Sequence, residues 1–124
     1  MAKEIYRCPV CGNIVEVLHV GGGTLVCCGK PMELLIEKNS EEGMEKHLPV
    51  VTIDGNNVNV KVRSVPHPMT EEHYIQWIEC LLGETTYMQE LKPNSSAEAN
   101  FSITGDLSNL TVRAYCNVHG LWKK

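Results

Sequence analysis

The chain has 124 residues, which suits one ordinary domain or a small one joined to a larger one. Hydrophobic residues make up 43% and aromatics 6%, with a single Phe, so the core must rest on Val, Ile and Leu. A formal net charge of −4, a pI near 5.7 and the lack of any basic run argue against a nucleic-acid or anionic-membrane surface.

From the start, Met1-Ala2-Lys3-Glu4-Ile5-Tyr6 has no apolar core of the kind a signal peptide carries, and no later apolar run reaches the roughly 18 residues of a spanning helix. A cytoplasmic protein is expected. In a reducing cytoplasm six cysteines are expected as ligands rather than disulfides. Residues 1–36 read as a short unit. Ile14–Leu18 and Thr24–Val26 suggest two strands around the flexible Gly21-Gly22-Gly23, and the run Met32–Ile36 suggests a third. So short a unit cannot bury enough apolar surface to fold alone, and a metal cross-link would supply the deficit.

Residues 37–44 are polar and read as a linker. From 45 to 124 the pattern is of short strands. Val50–Ile53 runs into Asp54-Gly55-Asn56-Asn57, a strong hairpin signal. Val58, Val60 and Val62 then alternate with Asn59, Lys61 and Arg63, giving one buried and one wet face. His73–Leu82 suits a strand or a short helix, and its β neighbours favour the strand. Ala97, Ala99, Phe101 and Ile103 alternate with polar residues, as do Leu110, Val112, Ala114 and Cys116 with Thr111, Arg113 and Tyr115. Repeated short strands with turn residues between them predict an all-β fold, a small metal unit followed by a β-sandwich.

Two donor sets stand on this framework. Cys8-Pro9-Val10-Cys11 places two sulfurs on one tight turn, and Cys27-Cys28 adds two more from a turn ending at Gly29. Four thiolates suit zinc or a single iron, and a closed sulfur tetrahedron leaves no position for a substrate. The second set is spread along the chain. Strand parity puts Cys116 on the inward face, with His119 three residues on. His67 lies between Pro66 and Pro68, His47 precedes Leu48-Pro49, and His73 opens the strand containing Trp77. Taken singly, each histidine reads as an ordinary surface or packed residue. Together, four of the five histidines stand in loops or at strand ends beside Pro, Gly or Cys, where a β-sandwich carries ligands. His19 reads as a solvated loop residue and Cys80 as a small core residue. Blue copper is the rival for a late Cys with a nearby His, but no Met follows His119 and two histidines would go unused.

Cys-Pro-Val-Cys-Gly-Asn at 8–13, Cys27-Cys28, Glu-Lys-His-Leu-Pro-Val at 45–50, His67-Pro68-Met69, His73-Tyr74-Ile75 and Cys-Asn-Val-His-Gly-Leu-Trp at 116–122 together resemble desulfoferrodoxin, the two-iron class of superoxide reductase. The resemblance spans the chain nearly end to end. It implies a desulforedoxin-like unit binding iron through Cys8, Cys11, Cys27 and Cys28. It also implies an immunoglobulin-like domain whose iron is ringed by His47, His67, His73 and His119, with Cys116 on one axis. The implied activity is one-electron reduction of superoxide to hydrogen peroxide by a homodimer, with electrons from rubredoxin or a similar donor. Ala114, two residues before the thiolate, is often larger and charged in relatives.

Five protein ligands would leave one of six octahedral positions open, opposite Cys116. Lys46, beside a ligand, is expected to attract the anion and order a proton-delivering water, and Glu45 to cap the open position in the resting state. Without such a role, Lys46 reads as a solvated loop lysine and Glu45 as its sequence neighbour with no part in the site. Two other classes compete: an electron carrier using only the thiolate iron, and a structural zinc module. The first would leave the four histidines and Cys116 idle, and the second would be colourless with no redox activity.

Overall fold

The computed structural model describes residues 3–38, 48–62 and 69–124, in two compact units, Met1–Ile36 and Glu37–Lys124. Among the described residues the regular structure is β-strand apart from one 3₁₀ turn at Leu107–Asn109, and no helix is long and apolar enough to cross a membrane.

The first unit holds five very short strands: β1 (Ile5–Arg7), β2 (Ile14–Glu16), β3 (Val26–Cys27), β4 (Lys30–Pro31) and β5 (Glu33–Leu34). β1 is central, antiparallel to β2 on one side and β5 on the other, while β3 and β4 form a separate ribbon. This corrects the expected hairpin across Gly21–Gly23. The segment after β2 does not fold back on it, although β2 is an edge strand; Val26 pairs instead with Pro31 across the Cys28-Gly29 turn. Ile5 and Cys8 are the buried apolar residues here, while Val10, Leu18, Val26 and Ile36 stand exposed. The apolar core is small, as the length required.

Among the described residues the second unit is a sandwich of seven strands. One sheet, in the order β10-β7-β6, contains β6 (Pro49–Asp54), β7 (Asn57–Val62) and β10 (Glu98–Ser102). The other, β12-β11-β8-β9, contains β8 (Ile75–Leu82), β9 (Thr85–Glu90), β11 (Thr111–Cys116) and β12 (Gly120–Lys123). The β6–β7 hairpin turns at Asp54-Gly55-Asn56-Asn57, with Gly55 at φ +62°, a conformation glycine adopts without strain. Inward side chains follow the expected parity. Val58, Val60, Val62, Ala99, Phe101 and Ile103 face Ile78, Cys80, Val112, Ala114 and Cys116 in one core. Residues 73–82 resolve as strand rather than helix over Ile75–Leu82.

The outer face of the four-strand sheet departs from simple alternation. Arg113 and Tyr115, the polar-face partners of Val112 and Ala114, are buried, as are Glu79 and Trp77. β11 and β8 are the two central strands of that sheet. Their outer face is closed by Trp77 stacked on Tyr115 (ring centroids 4.6 Å apart) and by an ion-pair cluster. Arg113 Nε donates to Glu79 at 2.7 Å, and its Nη1 donates to Glu37 at 3.0 Å. β9 and β12 were not expected from the sequence, since neither carries clean alternation; each is recruited by pairing to a central strand.

Candidate metal centres

The first donor set is local in sequence. After β1 the chain makes a knuckle in which Cys8 Sγ accepts from the N–H groups of Val10 and Cys11, both at 3.4 Å. Cys11 Sγ accepts from Asn13 N–H at 3.5 Å. Gly12 closes the turn at φ +81°, and Cys8 O accepts from its N–H at 3.1 Å. Cys27 and Cys28 come from the β3–β4 turn, where Cys28 itself takes φ +53°, an uncommon left-handed conformation for a side-chain-bearing residue. All four sulfurs lie within 4.8 Å of one another. Cys11 and Cys27 are 3.6 Å apart and Cys27 and Cys28 3.9 Å. A tetrahedral ion with metal–sulfur bonds of about 2.3 Å places its sulfurs about 3.8 Å apart. The spacing therefore fits one tetrahedral thiolate-bound ion and is far too long for a disulfide.

The electrostatics of this cluster are uneven. The N–H of Cys11, assisted by that of Val10, pulls the Cys8 thiol down to about 6. Cys27 is pushed up to about 12, mainly by its contacts with the thiols of Cys11 and Cys8. Cys28 is also raised, chiefly by Cys11. Neighbouring sulfurs resist gathering negative charge side by side, and a bound cation is what would let them ionise together.

The second donor set is assembled by the sandwich. Cys116 ends β11, wholly buried, and Gly120 opens β12 opposite it. The three residues between them form a tight connection that requires φ +92° at Gly120. His119 thereby returns toward the thiol, with Nδ1 3.9 Å from Cys116 Sγ. His73 comes from the segment leading into β8. A register shift opposite Tyr115/Cys116 pairs Tyr115 with Trp77 but Cys116 with Ile75, so the bulge brings the start of β8 alongside the thiol. The His73 and His119 rings meet edge to face with centroids 5.0 Å apart. The donor atoms of His73, Cys116 and His119 all fall within 4.8 Å of one another, close enough for one ion.

Two supports of this centre carried no expectation. Asn117 ties the two ligand segments together. Its Oδ1 accepts from Tyr74 N–H at 2.9 Å, its Nδ2 donates to Glu72 O at 3.0 Å, and its own N–H donates to Tyr74 O at 3.2 Å. A signal was available, because Asn is a turn residue whose side chain bonds backbone. Thr70 adds a local brace, its carbonyl and hydroxyl both accepting from His73 N–H at 3.2 Å. The second support is Lys38, read from sequence as linker, whose ammonium donates to His119 O at 2.9 Å. No local pattern announces that contact.

His47, His67, Glu45 and Lys46, all expected at the second centre, lie outside the described residues. His19 is exposed in the loop after β2. Cys80 is buried in the sandwich core, where burial and then Glu79 push its thiol up to about 12, so it stays neutral and apolar in character. Ala114 shares the buried inward face with Cys116 and brings no polar group to the sulfur.

Comparison with known proteins matches each of the two units to a family. The desulfoferrodoxin family matches residues 39–124, and the desulfoferrodoxin N-terminal domain matches residues 1–35. A desulfoferrodoxin homolog of Archaeoglobus fulgidus is 52% identical over 97% of this chain and 94% of its own length. The desulfoferrodoxin of Syntrophotalea carbinolica is 54% identical over 96% of this chain and 93% of its own. Among solved structures, the superoxide reductase from Treponema pallidum superposes with a TM-score of 0.81 at 26% identity, covering 99% of this chain and 98% of that one.

Proposed function

The chain belongs to the desulfoferrodoxin family, and on that footing we propose that it is a superoxide reductase with two non-haem irons. It takes one superoxide, one electron and two protons to one hydrogen peroxide. The observation that carries this reading is the second donor set: a buried thiol and two imidazoles brought to one point by a short loop and the segment stapled to it.

In this assignment Cys8, Cys11, Cys27 and Cys28 hold the first iron, and His47, His67, His73, His119 and Cys116 hold the second. Iron held by these residues would supply the single electron that superoxide takes up. The protein's own contribution is arrangement. Burial of Cys116 keeps water from its sulfur, which preserves the electron-donating strength of the thiolate. Asn117 holds His73 and His119 in fixed relation. Lys46 draws in the anion and orders a water that delivers a proton, and Glu45 provides a carboxylate for the resting state. Four sulfurs on one ion would leave no position for substrate, which would confine that centre to structure or electron passage.

The reading extends to the surroundings of the enzyme. Electrons come from a one-electron donor of the rubredoxin kind. All six cysteines are free thiols, which suits a reducing compartment, the cytoplasm. A homodimer would cover the exposed Val10, Leu18, Val26 and Ile36 of the first unit. The domains are 1–36 and 45–124 joined through 37–44, with Glu37 and Lys38 fastened to the sandwich side of the join.

The test is metal analysis and a visible spectrum of purified protein, followed by a superoxide assay that tracks peroxide and dioxygen. Two irons, thiolate charge-transfer bands and peroxide without dioxygen are expected. One iron with no superoxide activity would leave an electron carrier, and zinc alone a structural module. In the same assay Lys46→Ala should slow the bimolecular step and flatten its salt dependence, since steering raises association roughly 10–1000-fold at low salt.

A further inference from the structure

Lys38 occupies an unusual position for a residue at the head of a connecting stretch. Its backbone is bound on both sides to β12. Lys38 N–H donates to Leu121 O at 2.9 Å, and Lys38 O accepts from Lys123 N–H at 2.8 Å, forming a one-residue parallel bridge to Trp122. Glu37 secures the same point through Arg113 at 3.0 Å and Lys123 at 3.8 Å. The side chain is thus launched from a fixed base. It runs beside Gly120, passes 5.4 Å from the centre of the Trp122 ring, and ends with Nζ 2.9 Å from the carbonyl oxygen of His119. At Gly120 a Cβ would lie 3.8 Å from that Nζ, so the ammonium rests directly against the backbone of the ligand loop.

Each part of this arrangement bears on one peptide unit, His119–Gly120. Its carbonyl is gripped by a cation, and its far side is committed to φ +92°. That peptide carries the imidazole of His119. A charge-assisted hydrogen bond is shorter and about twice as strong as a neutral one, so it holds its acceptor more firmly. A half-buried ammonium one residue from a metal ligand also adds a fixed positive charge in a medium that screens it less than water does. Taking the second centre as the iron site argued above, we infer that Lys38 is a positioning residue for it. It orients His119 through the carbonyl, and its charge favours the ferrous over the ferric state.

The experiment uses the full-length, iron-loaded protein with Lys38→Met, Lys38→Gln and Lys38→Arg. It reads the thiolate-to-ferric charge-transfer band and the midpoint potential of the His/Cys centre, with the bands of the four-cysteine centre as internal control. Lys38→Met should move the band and shift the potential negative, raising the ferric-to-ferrous ratio at fixed potential about tenfold. Lys38→Gln, which keeps a donor without the charge, should fall between Met and wild type, and Lys38→Arg should return to wild type. The four-cysteine bands should not move in any variant. If Lys38→Met strips the second centre of iron, retention in Lys38→Arg supports the inference, and equal loss in Lys38→Arg overturns it. A potential and band unchanged in Lys38→Met overturn it as well. Absence of a thiolate–ferric band in the wild-type protein is a separate result that removes the iron reading itself.

Discussion

Replacing Asn117 with alanine tests whether the two ligand segments are held together by one side chain. The substitution deletes the bond from Tyr74 N–H to Oδ1 (2.9 Å) and the bond from Nδ2 to Glu72 O (3.0 Å), while the backbone bond from Asn117 N–H to Tyr74 O (3.2 Å) survives. At about 1 kcal/mol for each lost bond the direct cost is about 2 kcal/mol. That cost falls on the segment carrying His73, because Glu72 and Tyr74 flank it. A penalty of 2 kcal/mol applied to metal retention is about a 30-fold loss of affinity, within the 10- to 100-fold range typical of residues that orient metal ligands. The assay is competition of a chelator with cobalt(II) or iron(II) at the His/Cys centre, followed by its own spectrum. The four-cysteine centre should keep its metal. Asn117→Asp keeps an acceptor for Tyr74 N–H but sets a carboxylate against Glu72 O, so it should not restore affinity. An Asn117→Ala protein binding metal within about twofold of wild type would refute the staple, since two hydrogen bonds cannot be lost from the ligand segment at so little cost.

Two further outcomes follow from the buried and titrating groups. Arg113→Met strips Glu79, which is fully buried, of its guanidinium and should cost about 3–5 kcal/mol in denaturant unfolding followed by the fluorescence of Trp77 and Trp122; adding Glu79→Gln should recover much of that loss, and additive losses would argue against a coupled pair. In metal-free protein the ultraviolet thiolate absorbance should rise with a midpoint near pH 6, contributed by Cys8 and lost in Cys8→Ser. Because the folded value lies below the ordinary 9.0, the thiolate stabilises the metal-free unit fully above about pH 9, and that contribution disappears as pH falls through about 6. With the strands of the metal-free unit shown intact by amide hydrogen exchange, a first midpoint near 9 would show that the N–H groups of Val10 and Cys11 do not point at the sulfur.

Much of the molecule can be read from local pattern, and the reason is period. Val58, Val60 and Val62, or Val112, Ala114 and Cys116, alternate with polar residues because one side of each strand meets the opposite sheet. Parity alone therefore placed Cys116 inward and Cys80 in the core. Donor chemistry is equally local at the first centre, where four cysteines on two tight turns have few other uses. Alternation failed where both sides of a strand are covered. Arg113, Tyr115 and Glu79 look like a wet face and are buried, because β11 and β8 are central and their outer side is sealed by stacking and ion pairs. It failed again in the first unit, where strands of two or three residues carry too few side chains to display a period, and pairing partners were decided by turns.

The amino-acid order by itself determined the residue types able to hold metal, the spacing of the four thiols, the inward face of Cys116 and the all-β character. These depend on neighbours a few positions away. Tertiary structure alone decided that His73 meets Cys116 through a bulge in β8, that Asn117 spans the two ligand segments, and that Lys38 reaches the carbonyl of His119 from 81 positions earlier. Such contacts arise from which strands pair and in what register. That choice is made by the free energy of the whole sandwich, and no short stretch of sequence records it.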